Sequence, residues 1–118
     1  MTRHNKNLGD WGEEQACNFL ARHAFRVMER NYYTTMGEID IVAVKGDDYY
    51  FIEVKTRKDS DLANDDSITY FKKIKLQKTV RAYCYARNIR DKSIILAGLI
   101  VKVNEKEKKA SFRFCVIY

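Results

Sequence analysis

A chain of 118 residues, 46% hydrophobic and 32% charged, has the size and make-up of one soluble globular domain, too short for two independent cores and without an apolar run that could cross a bilayer. Lys and Arg outnumber Asp and Glu 22 to 16, a formal net charge of +6 that favours polyanionic partners through phosphate neutralisation. Cys17, Cys84 and Cys115 are odd in number, widely separated and without CxxC spacing, which argues against a disulfide framework or a zinc ribbon. Met1 to Asn7 carries basic residues with no apolar stretch behind them, so no secretory signal and a cytoplasmic protein are expected. Pro is absent and no repeat or linker interrupts the chain, so 1–118 reads as a single domain.

From Asp10 to Ala24 the spacing of Ala16, Phe19, Leu20 and Ala24 predicts a helix, with Asp10 as its N-cap, three residues before Glu13 as in a capping box. A short strand is expected near Phe25 to Asn31. Gly37 to Lys45 and Asp48 to Arg57 are rich in β-branched and aromatic residues and flank Gly46-Asp47, which predicts a hairpin. Lys58 to Ser67 reads as a polar loop, and Ile68 to about Arg87 as a second helix with Leu76, Val80 and Tyr83 on one face. Ile94 to Val103 is a continuous apolar run expected to form a strand buried on both sides, with Ser111 to Tyr118 as the last strand. The order αβββαββ is that of an α/β fold, a mixed central sheet flanked by helices, with the Ile94 strand parallel to a neighbour through a right-handed crossover.

A two-residue turn at Gly46-Asp47 pairs Lys45 with Asp48, Val44 with Tyr49, Val42 with Phe51 and Asp40 with Glu53. Side chains alternate along a strand, so Asp40 falls on the face of Val42 and Val44, and Glu53 on the same face with Phe51 and Lys55. Two carboxylates directly opposed repel and need compensation, which a divalent cation would supply and Lys55 would share. Glu13 lies along the inward edge of the first helix and Lys72 on the inward stripe of the second, so both are expected to flank this site.

The words Gly37-Glu38-Ile39-Asp40 and Phe51-Ile52-Glu53-Val54-Lys55-Thr56-Arg57, behind Gly12-Glu13 and Arg30-Asn31 and followed by Lys72, resemble the YraN-like family, whose fold is that of the PD-(D/E)XK endonuclease-like superfamily and similar to Holliday-junction-resolvase-type nucleases. The resemblance spans roughly the first two thirds of the chain. It implies a restriction-endonuclease-like fold in which Asp40, Glu53 and Glu13 bind Mg²⁺ or Mn²⁺, the Val54 carbonyl is a further ligand, and Lys55 is the catalytic lysine. Similar proteins often carry a Pro ahead of the second helix, where this chain has Thr69-Tyr70-Phe71, and Arg-Phe-Asp in the following strand, where it has Leu96-Ala97-Gly98.

The expected activity is metal-dependent hydrolysis of phosphodiester bonds in nucleic acid, DNA first and branched or structured DNA among the candidates, since no recognition helix or zinc module is visible. Lys72, Lys73, Lys75, Lys78 and Arg57, with Arg81, Arg87, Arg90 and Lys92 beyond them, are expected to meet the phosphate backbone. Tyr32, Tyr33, Tyr70 and Phe71 are candidates for base stacking, although aromatic residues in such places more often belong to the core. Two other classes stay open: a non-catalytic nucleic-acid-binding module and a protein-interaction subunit; a homodimer is compatible with each. Glu38 opposite Lys55 reads alternatively as a surface ion pair, Glu13 as a first-turn carboxylate at the positive end of its helix, and the basic helix as a solvated face. Asp59-Ser60-Asp61 is not an EF-hand, because the sixth position is Asn64 and the twelfth Tyr70.

Overall fold

The computed structural model describes residues 3–58 and 70–117. Its elements are α1 (Arg3–Arg22), β1 (Arg26–Thr34), β2 (Gly37–Lys45), β3 (Asp48–Lys58), α2 (Tyr70–Ala86), β4 (Ile94–Asn104) and β5 (Lys109–Val116), in the expected αβββαββ order. The strands form one sheet in the order β1-β2-β3-β4-β5. β3 and β4 are parallel and the other neighbours antiparallel, a mixed sheet with the crossover made by α2. Among the described residues, no helix is long and apolar enough to cross a membrane.

Each helix covers one face. Ala16 and Leu20 of α1 meet Ile41, Ala43, Ile52, Ala97, Leu99 and Val101, while Leu76, Val80 and Tyr83 of α2 meet Ile39, Val42, Phe51 and Leu96. Burial of each large side chain contributes about 1.5–3 kcal/mol. The apolar run of β4 is explained by this double cover, since successive residues face opposite helices.

Several boundaries differ from expectation. α1 begins at Arg3, so Asp10 is an exposed residue of the helix interior and caps nothing. Half-buried Leu8 prolongs the stripe Gly12, Ala16, Leu20 by one turn, which gives the earlier residues a reason to stay helical. Glu13 is therefore no first-turn carboxylate. The helix ends after Arg22 with Ala24 at φ 67 and Phe25 N–H donating to the Leu20 carbonyl at 2.9 Å, a left-handed stop made without glycine. β1 runs on to Thr34, because Tyr32, Tyr33 and Thr34 pair with Ile39, Glu38 and Gly37. Lys58 belongs to β3, and β5 starts at Lys109, paired with Asn104. The acidic stretch from Asp59 to Ser67, the expected helix start at Ile68 and the side chains of Tyr70 and Phe71 lie outside the described residues.

Candidate functional site

The β2–β3 hairpin has the register drawn from its turn. Gly46 takes φ 62 at the first central position, and the pairs run from Lys45 with Asp48 to Ile41 with Ile52. There the ladder stops, one step short of Asp40 and Glu53, so these acids are not the directly opposed pair expected. Ile39 packs toward α2 and Ile41 toward α1, yet Val42 packs toward α2 again. Strict alternation slips at Asp40, and the Val54 N–H donates to Asp40 Oδ2 at 2.8 Å. The carboxylate thus replaces the neighbouring strand as acceptor for a half-buried amide.

Gly12 sets the approach of α1. A Cβ there would lie 1.7 Å from Thr56 Oγ1, so only glycine lets the helix lie this close to β3 and carry Glu13 over the hairpin end. Glu13, Glu38, Asp40, Glu53, Val54 and Thr56 line one cavity of about 460 Å³. On the α2 side, Glu38, Asp40 and Glu53 are shared with an adjoining cavity of the same size, lined also by Tyr33, Lys72, Lys75 and Leu76. Lys72 Nζ stands 3.7 Å from Glu53 Oε1.

Burial, countered by the Val54 N–H and reinforced by Glu13, Glu38 and Glu53, pushes the Asp40 carboxyl up to about 7. Burial also raises Glu13, against the pull of Arg30. One Glu13 oxygen, Oε1, is buried without a hydrogen-bond partner. Partial desolvation, then Glu38, Glu13, Asp40 and Asp10, raise the Tyr33 hydroxyl.

The structure brings Glu13, Asp40, Glu53 and Val54 together around one space and adds Lys72 and Lys75 at its far side. Lys55 is half-buried two residues beyond Glu53 and pairs with Ile100 on β4, while Glu38 pairs with Tyr33 on β1, so the ladders do not set Glu38 opposite Lys55. Lys55, Arg57, Lys73 and Lys78 are not among the residues lining either cavity. Two of the outer cations are occupied. Arg87 Nη2 is 2.7 Å from Glu29 Oε1 and its guanidinium covers Tyr83 and Tyr32, and Lys92 is 3.7 Å from Asp47. Sequence reasoning gave Glu38 no place in the site, although it stands in the same four-residue word as Asp40.

The model of the Uncharacterised protein family UPF0102 matches residues 12–118. The chain belongs to this family. UPF0102 proteins of Dictyoglomus turgidum, Alkaliphilus oremlandii and Moorella thermoacetica are similar to it. The first is 40% identical over 76% of this chain and 77% of its own length. The second is 31% identical over 89% and 91%, and the third 32% over 93% and 92%. The matched stretch begins at Gly12 and takes in Glu13, Asp40, Glu53 and Lys72, so every acid of the site lies inside the family's domain.

The donor set suits a hard cation. Among the described residues, no three His, Cys, Asp or Glu side chains already stand at ligating separation. Mg²⁺ asks for less, since it is commonly held by one or two carboxylates with waters and a substrate phosphate. An orphaned buried Glu13 oxygen and an Asp40 carboxyl raised first by burial and then by Glu13, Glu38 and Glu53 are what a cation would relieve.

Proposed function

We propose that this protein is a metal-dependent nuclease of the PD-(D/E)XK type, with a restriction-endonuclease-like fold, that hydrolyses phosphodiester bonds in DNA. The observation that carries the reading is the convergence of Glu13, Glu38, Asp40 and Glu53 on one half-buried space, which Lys58 also lines. Such crowding costs folding free energy and is retained where function needs it.

Asp40, Glu53, Glu13 and the Val54 carbonyl would hold a Mg²⁺ or Mn²⁺ ion, which when bound activates water and polarises the phosphate. Asp40 is oriented by the Val54 N–H, which fixes one oxygen and leaves the other for the site. Lys55, on Glu53's side of β3, supplies a cation that stabilises charge developing on the phosphoryl oxygens. Lys72 and Lys75 receive the adjoining backbone phosphate, and Lys73, Lys78 and Arg57 extend that field along the strand.

The test is incubation with linear, single-stranded and branched DNA in Mg²⁺, Mn²⁺ or EDTA, beside Asp40→Asn and Lys55→Ala. Cleavage that needs the metal and disappears in both variants is the expected result. Among the described residues no three carboxylates stand at ligating separation, which favours, as a second reading, a module that binds without cutting. Salt-dependent binding unchanged by both substitutions, with intact DNA throughout, would establish that reading instead.

A further inference from the structure

The shared acids divide two unlike spaces. Besides the shared Glu38, Asp40 and Glu53, the space toward α1 has Leu8, Glu13, Thr56 and Lys58 in its wall, and the space toward α2 has Tyr33, Gly37 and Leu76 with Lys72 and Lys75. A cation belongs with the first. The second pairs an aromatic and an aliphatic surface with ammonium groups, the combination that holds a base by its π-face and its phosphate by charge.

Tyr33 is the residue that packing leaves unexplained. Its neighbour Tyr32 shows the usual fate of a strand aromatic, wedged edge-on against Tyr83 at 4.9 Å between centroids. Tyr33 is 67% exposed, yet it lines the cavity that contains Asp40 and Glu53. It is presented from a braced hairpin tip. The Thr34 hydroxyl accepts from Met36 N–H and donates to the Gly37 carbonyl, both at 3.1 Å. Gly37, at φ 149, lies so near α2 that a Cβ would come 2.9 Å from Thr79 Oγ1. That hydroxyl is itself bonded to the Lys75 carbonyl at 2.8 Å, so the tip lies close against the Lys75 turn of α2.

We propose that Tyr33 is the base-stacking residue of this site, and that the substrate presents an unpaired nucleotide beside the scissile phosphate. A base inside a duplex has both faces covered by its neighbours and offers none to a protein ring, whereas an unpaired base does. Met36, 44% exposed at the same tip, gives an apolar edge against which a strand end can be held open. The inference rests on the nuclease reading and narrows its substrate class.

Fluorescence anisotropy with a labelled single-stranded oligonucleotide and a blunt duplex of the same sequence, in Ca²⁺ to limit turnover, tests it. Tyr33→Ala is expected to weaken single-strand binding roughly 5- to 100-fold while Tyr33→Phe, which keeps the ring, stays within about twofold of the parent. Duplex binding and melting temperature are expected to be unchanged, since the side chain is outside the core. Equal affinity of parent and Tyr33→Ala for the single strand would overturn the inference, as would an equal loss on both substrates. Metal-dependent cleavage that ignores Tyr33→Ala overturns this inference alone. Failure of the parent to bind either nucleic acid overturns the nuclease reading with it.

Discussion

The two ends of the β2–β3 pair use the same strands for opposite purposes. At the turn end the ladder is complete from Lys45 with Asp48 to Ile41 with Ile52, and Ile41, Val42, Ala43, Phe51 and Ile52 are fully buried. At the other end the rungs stop, Asp40 takes over as acceptor for Val54 N–H, and three further acids gather. Backbone groups used up by a partner strand leave nothing for a ligand. Where pairing stops, the freed groups and the side chains beside them become available for chemistry.

The sharpest way to break this contrast is to truncate one residue at each end. Phe51→Ala removes a fully buried ring and is expected to cost about 3–5 kcal/mol in urea unfolding. Asp40→Asn keeps an acceptor for Val54 N–H and removes a crowded charge, so its unfolding midpoint should hold or rise while metal-dependent cleavage falls about 100-fold or more. A large loss of stability in Asp40→Asn would show that the acidic end is structural after all.

Gly12 links the two ends through α1. Gly12→Ala forces a Cβ into Thr56 and is expected to cost about 1–3 kcal/mol by thermal melting, with reduced cleavage as Glu13 moves away from Asp40. Gly9→Ala is the matched control, because a Cβ at Gly9 meets nothing within 4 Å and should stabilise the helix by about 0.5–1 kcal/mol. Similar effects at both positions would mean that helix propensity, not the close approach to β3, decides the outcome.

The fold was legible where local pattern and global packing agree. Gly46-Asp47 fixed the register of β2 against β3, and the apolar run of β4 announced a strand covered by both helices. What could not be read was set by contacts distant in sequence. Asp10 has the chemistry of an N-cap, but Leu8 finds space against the site and draws the helix past it. Tyr32 and Tyr33 are the same residue type side by side, yet Tyr83 on α2 covers the first while the second stays exposed. For the candidate site, Asp40, Glu53 and Glu13 were foreseen as neighbours, but their relation was not. The slip in alternation at Asp40 has no mark in the sequence, since Ile39, Ile41 and Val42 are interchangeable as strand formers.

A change of pH sharpens the comparison without any substitution. The folded protein holds the Asp40 proton up to about pH 7, above the ordinary carboxylate value of about 3.9 that applies when unfolded. The group's contribution is therefore fully present below about pH 4 and is lost as pH rises through 7. In EDTA the protein should lose roughly 1–3 kcal/mol between pH 5 and pH 8 by urea unfolding, less than the full shift because Asp40 is only half-buried. Asp40→Asn should flatten the profile, and millimolar Mg²⁺ at pH 8 should restore stability to the parent alone. A parent profile as flat as the variant's would remove the electrostatic case for a cation.

The smallest expected effect distinguishes a structural cation from a substrate-binding one. The side chains of Lys72 and Glu53 are 57% and 23% exposed at a separation of 3.7 Å, so the pair is worth under about 1 kcal/mol and screens with salt. Lys72→Ala should therefore leave urea unfolding almost unchanged. If Lys72 meets a phosphate when DNA binds, the same substitution should reduce the slope of log affinity against log salt by about one, uniformly across sequences. A slope that stays the same while stability drops would assign Lys72 to Glu53 and leave the acidic end without its nearest phosphate contact; a lower slope at constant stability makes the ion pair a resting contact that the substrate replaces.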